Sequence, residues 1–467
     1  MSAIPILSGI YTDNGPDVRI SYPVNLVPVP TDNGISAGYL RPADGLVSDG
    51  IGPGVGRGGI NWNGVCYRVM GSKFVSVASN GAVTIIGDVG DGGPVTFTYG
   101  FDRLAIASNL ALYYYDGTTL TQVTDVDLGN VVDAVWVDGY FMTTDGEFLV
   151  VTELADPFAV NPLKYGSSES DPDPVLALLR LRNEVYALNR NTIEVFDNIG
   201  GTGFPFQRID GAKISKGVIG THACCVYLDS IAFVGSGHNE APGVYLGINA
   251  GAQKISTVEI DRILASFTED QLATVFVETR NDNGHQHLYI HLPDRTMVFD
   301  AAASQALQQQ VWFVLVSTLA GVDVYKARHF VWAYDRWLIC SPTSYDVGHL
   351  TQSVSSHYGQ RVRWEFGTLI VYSEGRGAIF NELEIVCLSG RVALGVNPTI
   401  STSYSLDGVD WSMDKSVSVG TIGERTKRIV WFRQGSMSHF RMQRFRGTSD
   451  AHMSFARLEA QLEGLAY

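Results

Sequence analysis

Between residues 60 and 350 the chain writes one short unit repeatedly: two to four strand-length runs of β-branched and aromatic residues around a polar turn. Candidate units centre on 65–89, 104–123, 134–153, 176–196, 224–255, 275–300 and 328–351. Such a unit cannot bury its apolar face alone, so neighbours must stack against it, and a first-strand spacing of about 30 to 55 residues is near that of the four-strand blade of a β-propeller. The turns are explicit. Asn80-Gly81, Asp116-Gly117, Asp138-Gly139 and Asp145-Gly146 supply the positive φ that tight hairpins need. The expected fold class is mainly β, with a β-propeller body of six or seven blades. An array of sandwiches is the alternative arrangement of the same units.

A helical insertion near 256–276 interrupts the pattern. Ser256 and Glu259 fit a capping box, Ile260, Ile263, Leu264 and Phe267 share one face, and Thr268 and Gln271 repeat the capping pattern. Asp282-Asn283-Gly284 then turns the chain into an alternating strand at 288–292, followed by a strand at 297–300. From about Gln352 the texture changes. Alternating segments at 361–365, 368–372, 380–388, 399–405, 429–432, 440–445 and 453–458 predict an antiparallel β-sandwich. Residues 1–50, rich in Pro and Gly and without periodicity, read as an extended N-terminal arm that needs another surface to lie on. The expected division is arm 1–50, propeller-like body 51–352 and platform-type sandwich 353–467, with few short helices.

Charge is uneven. The net charge is −15, yet 13 of the 33 basic residues and 11 of the 48 acidic ones lie from Gln360 onward, leaving 20 basic against 37 acidic upstream. That balance argues against tight DNA binding by the body, because phosphate neutralisation needs clustered cations. No apolar run reaches the roughly 18 residues of a membrane span. The opening MSAIPILSG lacks the basic region of a signal peptide, so a cytosolic product without a membrane anchor is expected. The five cysteines include no C-x-x-C, and adjacent Cys224 and Cys225 point to opposite faces of a strand; buried free thiols are expected.

Several motifs touch on chemistry. Gly54 to Gly59 matches G-x-G-x-x-G in letters but has a loop before it and a strand after it, which makes it an entry turn rather than a dinucleotide site. His285 and His287 share a strand face and could chelate a metal. His291 lies too far along, and no acid or thiol is fixed nearby by sequence, so a surface or barrel-rim histidine pair is the expectation and no metal site is assigned. Ser405 to Trp411 nearly spells the Asp-box turn, with Trp411 packing on its own domain. Arg425, Lys427, Arg428, Arg433, Arg441, Arg444 and Arg446 form a run of seven cations without an intervening acid. The readings open to it are outward-facing sandwich cations, contact with an acidic partner, and nucleic acid. No nucleophile elbow, P-loop or HExxH pattern occurs, and no catalytic or cofactor-binding residue is assigned.

The order of motifs adds a resemblance. A helix reading IDRILASFTEDQLA at 260–273, then YIHLP at 289–293 and VFDAAAS at 298–304, resembles the tail hub (nozzle) proteins of short-tailed phages, also called packaged DNA stabilisation proteins. Pro23-Val24-Asn25-Leu26, Gly38-Tyr39-Leu40-Arg41, Val55-Gly56-Arg57-Gly58 before Cys66-Tyr67-Arg68-Val69, and Gly217 to Thr221 follow in family order. The resemblance runs from about residue 20 to about residue 305. It implies a non-enzymatic virion tail protein assembled in the host cytoplasm. It implies a homo-hexameric ring below the portal and adaptor rings, closed by a tail needle and docked by tailspikes. Packaged DNA would be retained, then conducted through the channel at ejection without specific binding. Within that scheme Arg425, Lys427, Arg428 and Trp411 are the candidate partner interface. The alternative is a carbohydrate-binding or carbohydrate-active propeller, which a rim cluster of Asp, Glu and Trp would mark.

Overall fold

The computed structural model describes residues 2–465 apart from 8, 12–19, 32–34, 155, 249, 373–375, 391, 393 and 394, so parts of the expected arm lie outside the described residues. Seven antiparallel sheets follow one another along the chain. The first four are four-stranded and cover 56–88, 96–122, 133–167 and 175–208. The fifth, 217–254, has five strands because its innermost segment is split into Gly217–Val218 and Cys224–Tyr227, both paired with Ser230–Ser236. The sixth covers 276–315. The seventh is built from Arg328–Ala333, Arg336–Cys340 and Asp346–Thr351, and its fourth strand is Gly45–Ile51 from the other end of the chain. These are the blades of a seven-bladed propeller. The N-terminal strand closes the circle, so the ring is held by backbone hydrogen bonds as well as by packing.

The innermost strands crowd the axis, and glycine makes the room. A Cβ on Gly56 would sit 2.3 Å from the Cys340 Cβ of the last blade, and one on Gly58 would sit 2.5 Å from Val95 of the second. The G-x-G-x-x-G segment is therefore mostly strand, Gly56–Trp62, and not the entry turn expected from its flanks. Small residues are needed because two blades meet there. Arg57 fixes the same joint: its guanidinium donates to the carbonyls of Gly71, Gly90 and Gly93 and to Ser108 Oγ of the second blade.

The helical insertion is Val258–Ala265 and Glu269–Leu272. Ile260, Leu264 and Leu272 bury against Val244, Val275 and Leu288 of the fifth and sixth blades. Thr268 and Gln271 form the expected capping box, but Ser256 and Glu259 do not. Thr257 takes the N-cap position without a side-chain cap, while Ser256 Oγ accepts the Val244 amide and bonds Asp261. Tertiary contacts claimed the serine. Asn283 and Gly284, at φ 50° and 79°, make the tight turn between Phe276–Asp282 and His285–His291. A further helix, Ala301–Leu307, follows directly on the strand Thr296–Asp300 and is capped by Asp300.

The C-terminal region is a two-sheet sandwich. One sheet orders Leu26–Pro30, Gly38–Pro42, Phe455–Gly464, Ala378–Cys387 and Ile429–Phe432, with Ser2–Ile4 added to Phe455–Gly464. The other orders Arg363–Gly367, Phe440–Thr448, Thr399–Ser405 and Lys415–Ser418. Between them Trp364, Phe366, Phe445 and Phe455 pack with ring centroids 4.7–6.0 Å apart, beside buried Leu26, Leu40 and Leu383. Strands from the first fifty residues thus supply part of the sandwich before the chain enters the propeller. All five cysteines are free, with Cys66, Cys224 and Cys340 buried and Cys225 and Cys387 half-buried.

Candidate functional site

Three places collect chemistry. The first is a cavity of about 270 Å³ where the innermost strands of all seven blades converge, lined among others by Gly58, Phe97, Asp133, His222, Glu278 and His329. Both carboxylates are engaged there. Glu278 accepts the amides of His329 and Phe330 at 2.9 and 2.8 Å and bonds His291 Nε2 at 2.9 Å. Asp133 accepts the amides of Ala134 and Leu178 at 2.9 and 2.7 Å. Burial pushes the Asp133 pKa up to about 6 against these hydrogen bonds. The pair joins blades, and neither carboxylate is poised on a rim as sugar hydrolysis would need.

The second place is the cationic run of the sandwich, which the fold disperses. Arg441 is fully buried between the rings of Phe380 (4.1 Å) and Tyr404 (3.9 Å), donating to the Gln434 carbonyl and to Gln443 Oε1. Burial lowers its pKa to about 10. Arg444 lies 4.0 Å over Trp411, which is half-buried at the end of the Asp-box-like turn. In that turn Asp407 accepts the amides of Val409 and Asp410. Arg446 pairs with Asp414, and Arg428 with Glu382 and Glu384. Arg425 is exposed, and Lys427 is half-exposed beside Glu424. Arg441 points inward, Arg444 and Arg446 share the other face of Phe440–Thr448, and Arg425, Lys427 and Arg428 lie in the loop before Ile429–Phe432, so the seven cations do not share one face.

The third place is inside the sixth blade. His285 and His287 are buried, which corrects the expected surface pair, and the strand register sets Asp300 directly opposite His287. Asp300 Oδ2 is 2.5 Å from His285 Nδ1 and 3.4 Å from His287 Nε2. Its other oxygen accepts the amides of Gln286, Ala302 and Ala303. Burial opposes ionisation of Asp300, but the two imidazoles hold its carboxyl well below the usual range. His291 is apart from this cluster, bonded to Glu278 and Thr296.

Comparison with known proteins accounts for nearly all of the chain. Residues 2–355 match the family model described as the Bacteriophage P22 Gp10 beta-propeller, and residues 363–463 match its beta-sandwich. The chain belongs to the P22 Gp10 family. One curated relative is the tail hub protein gp10 of Salmonella phage P22, 28% identical over 454 residues that cover 92% of this chain and 93% of that one. Among solved structures, this Gp10-family chain is similar to the Pan2 WD40 domain of Neurospora crassa (TM-score 0.41, 11% identity, 64% of this chain and 89% of that one). It is likewise similar to the N-terminal domain of Nup159 (0.40, 10%, 65% and 90%).

Two features of this Gp10-family chain escaped the sequence reading. Asp300 was visible as the end of a strand, but its place opposite His287 depends on hairpin register, which the intervening loop sets. Arg441 sits at an inward position of Phe440–Thr448, where Met442 and Gln443 are also buried. The signal was Gln443, a polar residue that can serve a buried guanidinium.

Proposed function

We propose that this chain is a structural protein of a short phage tail, forming a hub or nozzle ring that closes the DNA exit channel. The observation that carries the reading is its similarity to the P22 tail hub protein over nearly the whole of both chains. In this reading six copies form a ring below the portal and adaptor. A tail needle closes the ring and tailspikes dock outside it. The ring retains packaged DNA and conducts it at ejection.

The physical features agree with this. Six copies at −15 carry −90 in one ring, and like charge along a channel repels a duplex and lets it slide. The cavity of about 270 Å³ where the blades converge is too small for a duplex, so in this reading the passage for DNA lies between copies. Phe101, Val126 and Met413 are about nine-tenths exposed, as befits surfaces that meet neighbours. The cationic contact with an acidic partner, most simply the adaptor, falls to Arg425 and Lys427, because Arg428 bridges two glutamates and Trp411 is covered by Arg444, whereas the Lys427 ammonium meets, among the described residues, only Ser418 and, at 3.8 Å, Glu424. The arm, whose strand Gly45–Ile51 belongs to the seventh blade, the propeller expected at 51–352 and the sandwich 353–467 then serve as tie, ring wall and platform.

Electron microscopy of the purified protein, alone and added to DNA-filled heads that lack it, tests the reading. Six-fold rings that attach to such heads and stop DNA leakage are expected. A protein that stays monomeric at high concentration and leaves leakage unchanged would overturn it.

A further inference from the structure

The His285, His287 and Asp300 cluster has no part in a hub built only from surfaces and a channel. From its geometry we propose that it is a binding site for a borderline transition-metal ion of the zinc class, held by His285 Nδ1, His287 Nε2 and Asp300 Oδ2, with a water completing four-coordination.

The ligand atoms lie within 4.8 Å of one another, and all three residues are buried. The far sides of Asp300 and His287 are already occupied. Asp300 Oδ1 is held by three backbone amides. Tyr289 Oη lies 3.4 Å from His287 Nδ1, placed to accept its proton and leave the Nε2 lone pair facing the site. His287 Nε2 is buried without a hydrogen-bond partner among the described residues. A buried nitrogen left in that state costs free energy unless something is bound to it. The nearby Arg280 guanidinium does not oppose a cation with a free charge, because Asp44 and Asp282 both pair with it.

The distances fit with one small movement. Bonds of about 2.0 to 2.2 Å to a tetrahedral zinc set ligand atoms about 3.4 Å apart. His287 and Asp300 already stand at 3.4 Å. His285 Nδ1 and Asp300 Oδ2, at 2.5 Å, are hydrogen-bonded and too close to share an ion. To admit the ion the His285 ring must retreat, and for a neutral ring the Nδ1 proton moves to Nε2, so no net proton is released. Two imidazoles and one carboxylate suit zinc, cobalt or nickel rather than magnesium or calcium. The ion would tie the hairpin of the sixth blade to the helix that Asp300 caps.

The test uses the full chain, stripped with a chelator and then given Zn²⁺ or Co²⁺. One ion per chain retained through gel filtration is expected, with a melting temperature that rises with Zn²⁺ concentration. Co²⁺ should give the intense visible absorption of a four-coordinate site. His285→Gln and His287→Gln should each reduce retention at least tenfold and abolish the thermal shift. The wild-type Co²⁺ spectrum needs no variant to fold: the weak absorption of the hydrated ion, with no thermal shift, would overturn the proposal. Retention unchanged in folded His287→Gln would overturn it as well.

Discussion

Asn25 and Val316 exchange two hydrogen bonds: Asn25 Nδ2 donates to the Val316 carbonyl at 2.9 Å, and Asn25 Oδ1 accepts the Val316 amide at 3.1 Å. The same Nδ2 donates to the Arg363 carbonyl at 2.7 Å, and the Asn25 amide donates to Val314. One side chain thereby ties the arm, the sixth blade and the first sandwich strand. Asn25 also sits at φ 52°, a region Asn tolerates and Ala does not. Asn25→Ala should lower stability by about 2 to 4 kcal/mol, the sum of buried groups left unpaired and left-handed strain. Asn25→Gly should cost about 1 kcal/mol less, since glycine relieves only the strain. Urea unfolding of the three proteins checks this; equal losses would remove the strain argument.

Asp133 makes stability depend on pH with a definite sign. Burial raises its folded pKa from 3.8 to about 6, so the folded state binds the proton more tightly than the unfolded chain. Its contribution is fully present below about pH 4 and is lost as pH rises through 6. Asp133→Asn removes the penalty of ionising a buried acid while keeping an acceptor for Leu178. Relative to wild type the variant should gain up to about 3 kcal/mol between pH 4 and pH 8. Melts at both pH values measure it, and a difference independent of pH would refute the assignment.

The interface assignment separates Arg425 and Lys427 from Arg428. Arg425→Glu with Lys427→Gln, which avoids a second carboxylate beside Glu424, should leave the melting temperature nearly unchanged and weaken attachment to DNA-filled heads, because charged rims set encounter and register. Arg428→Glu would place a third carboxylate beside Glu382 and Glu384 and should lower the melting temperature instead. Normal attachment by the Arg425 and Lys427 double variant would reject this contact. Duplex DNA binding by wild type that the double variant abolishes would point to nucleic acid.

A fragment of residues 360–467 lacks the strands that pair with or extend from Phe455–Gly464. Leu26 and Leu40, both fully buried, leave with them, each worth about 1.5 to 3 kcal/mol of burial. The fragment alone should aggregate or give an unfolded circular dichroism spectrum, and adding residues 1–44 should restore β-structure. A fragment that folds without them would make the arm dispensable to the sandwich.

Local chemistry was legible in the residues themselves. Strands such as 399–405 and 429–432, the Thr268 and Gln271 cap and the Asn283-Gly284 turn follow from period, capping and φ, which a few neighbouring residues decide. The sequence by itself therefore determined a mainly β chain with a propeller body and a sandwich. Only the tertiary structure decided seven blades, because the count depends on Gly45–Ile51 pairing with Asp346–Thr351 across some three hundred residues. It also decided what Pro23-Val24-Asn25-Leu26 and Gly38-Tyr39-Leu40-Arg41 are for, since these motifs meet their partners in the sixth blade and the far C-terminal strand. Asp300 faces His287, and Arg441 turns inward, through register and packing. Those depend on contacts between residues distant in the chain, and periodicity along a single strand carries no record of which strand lies beside it.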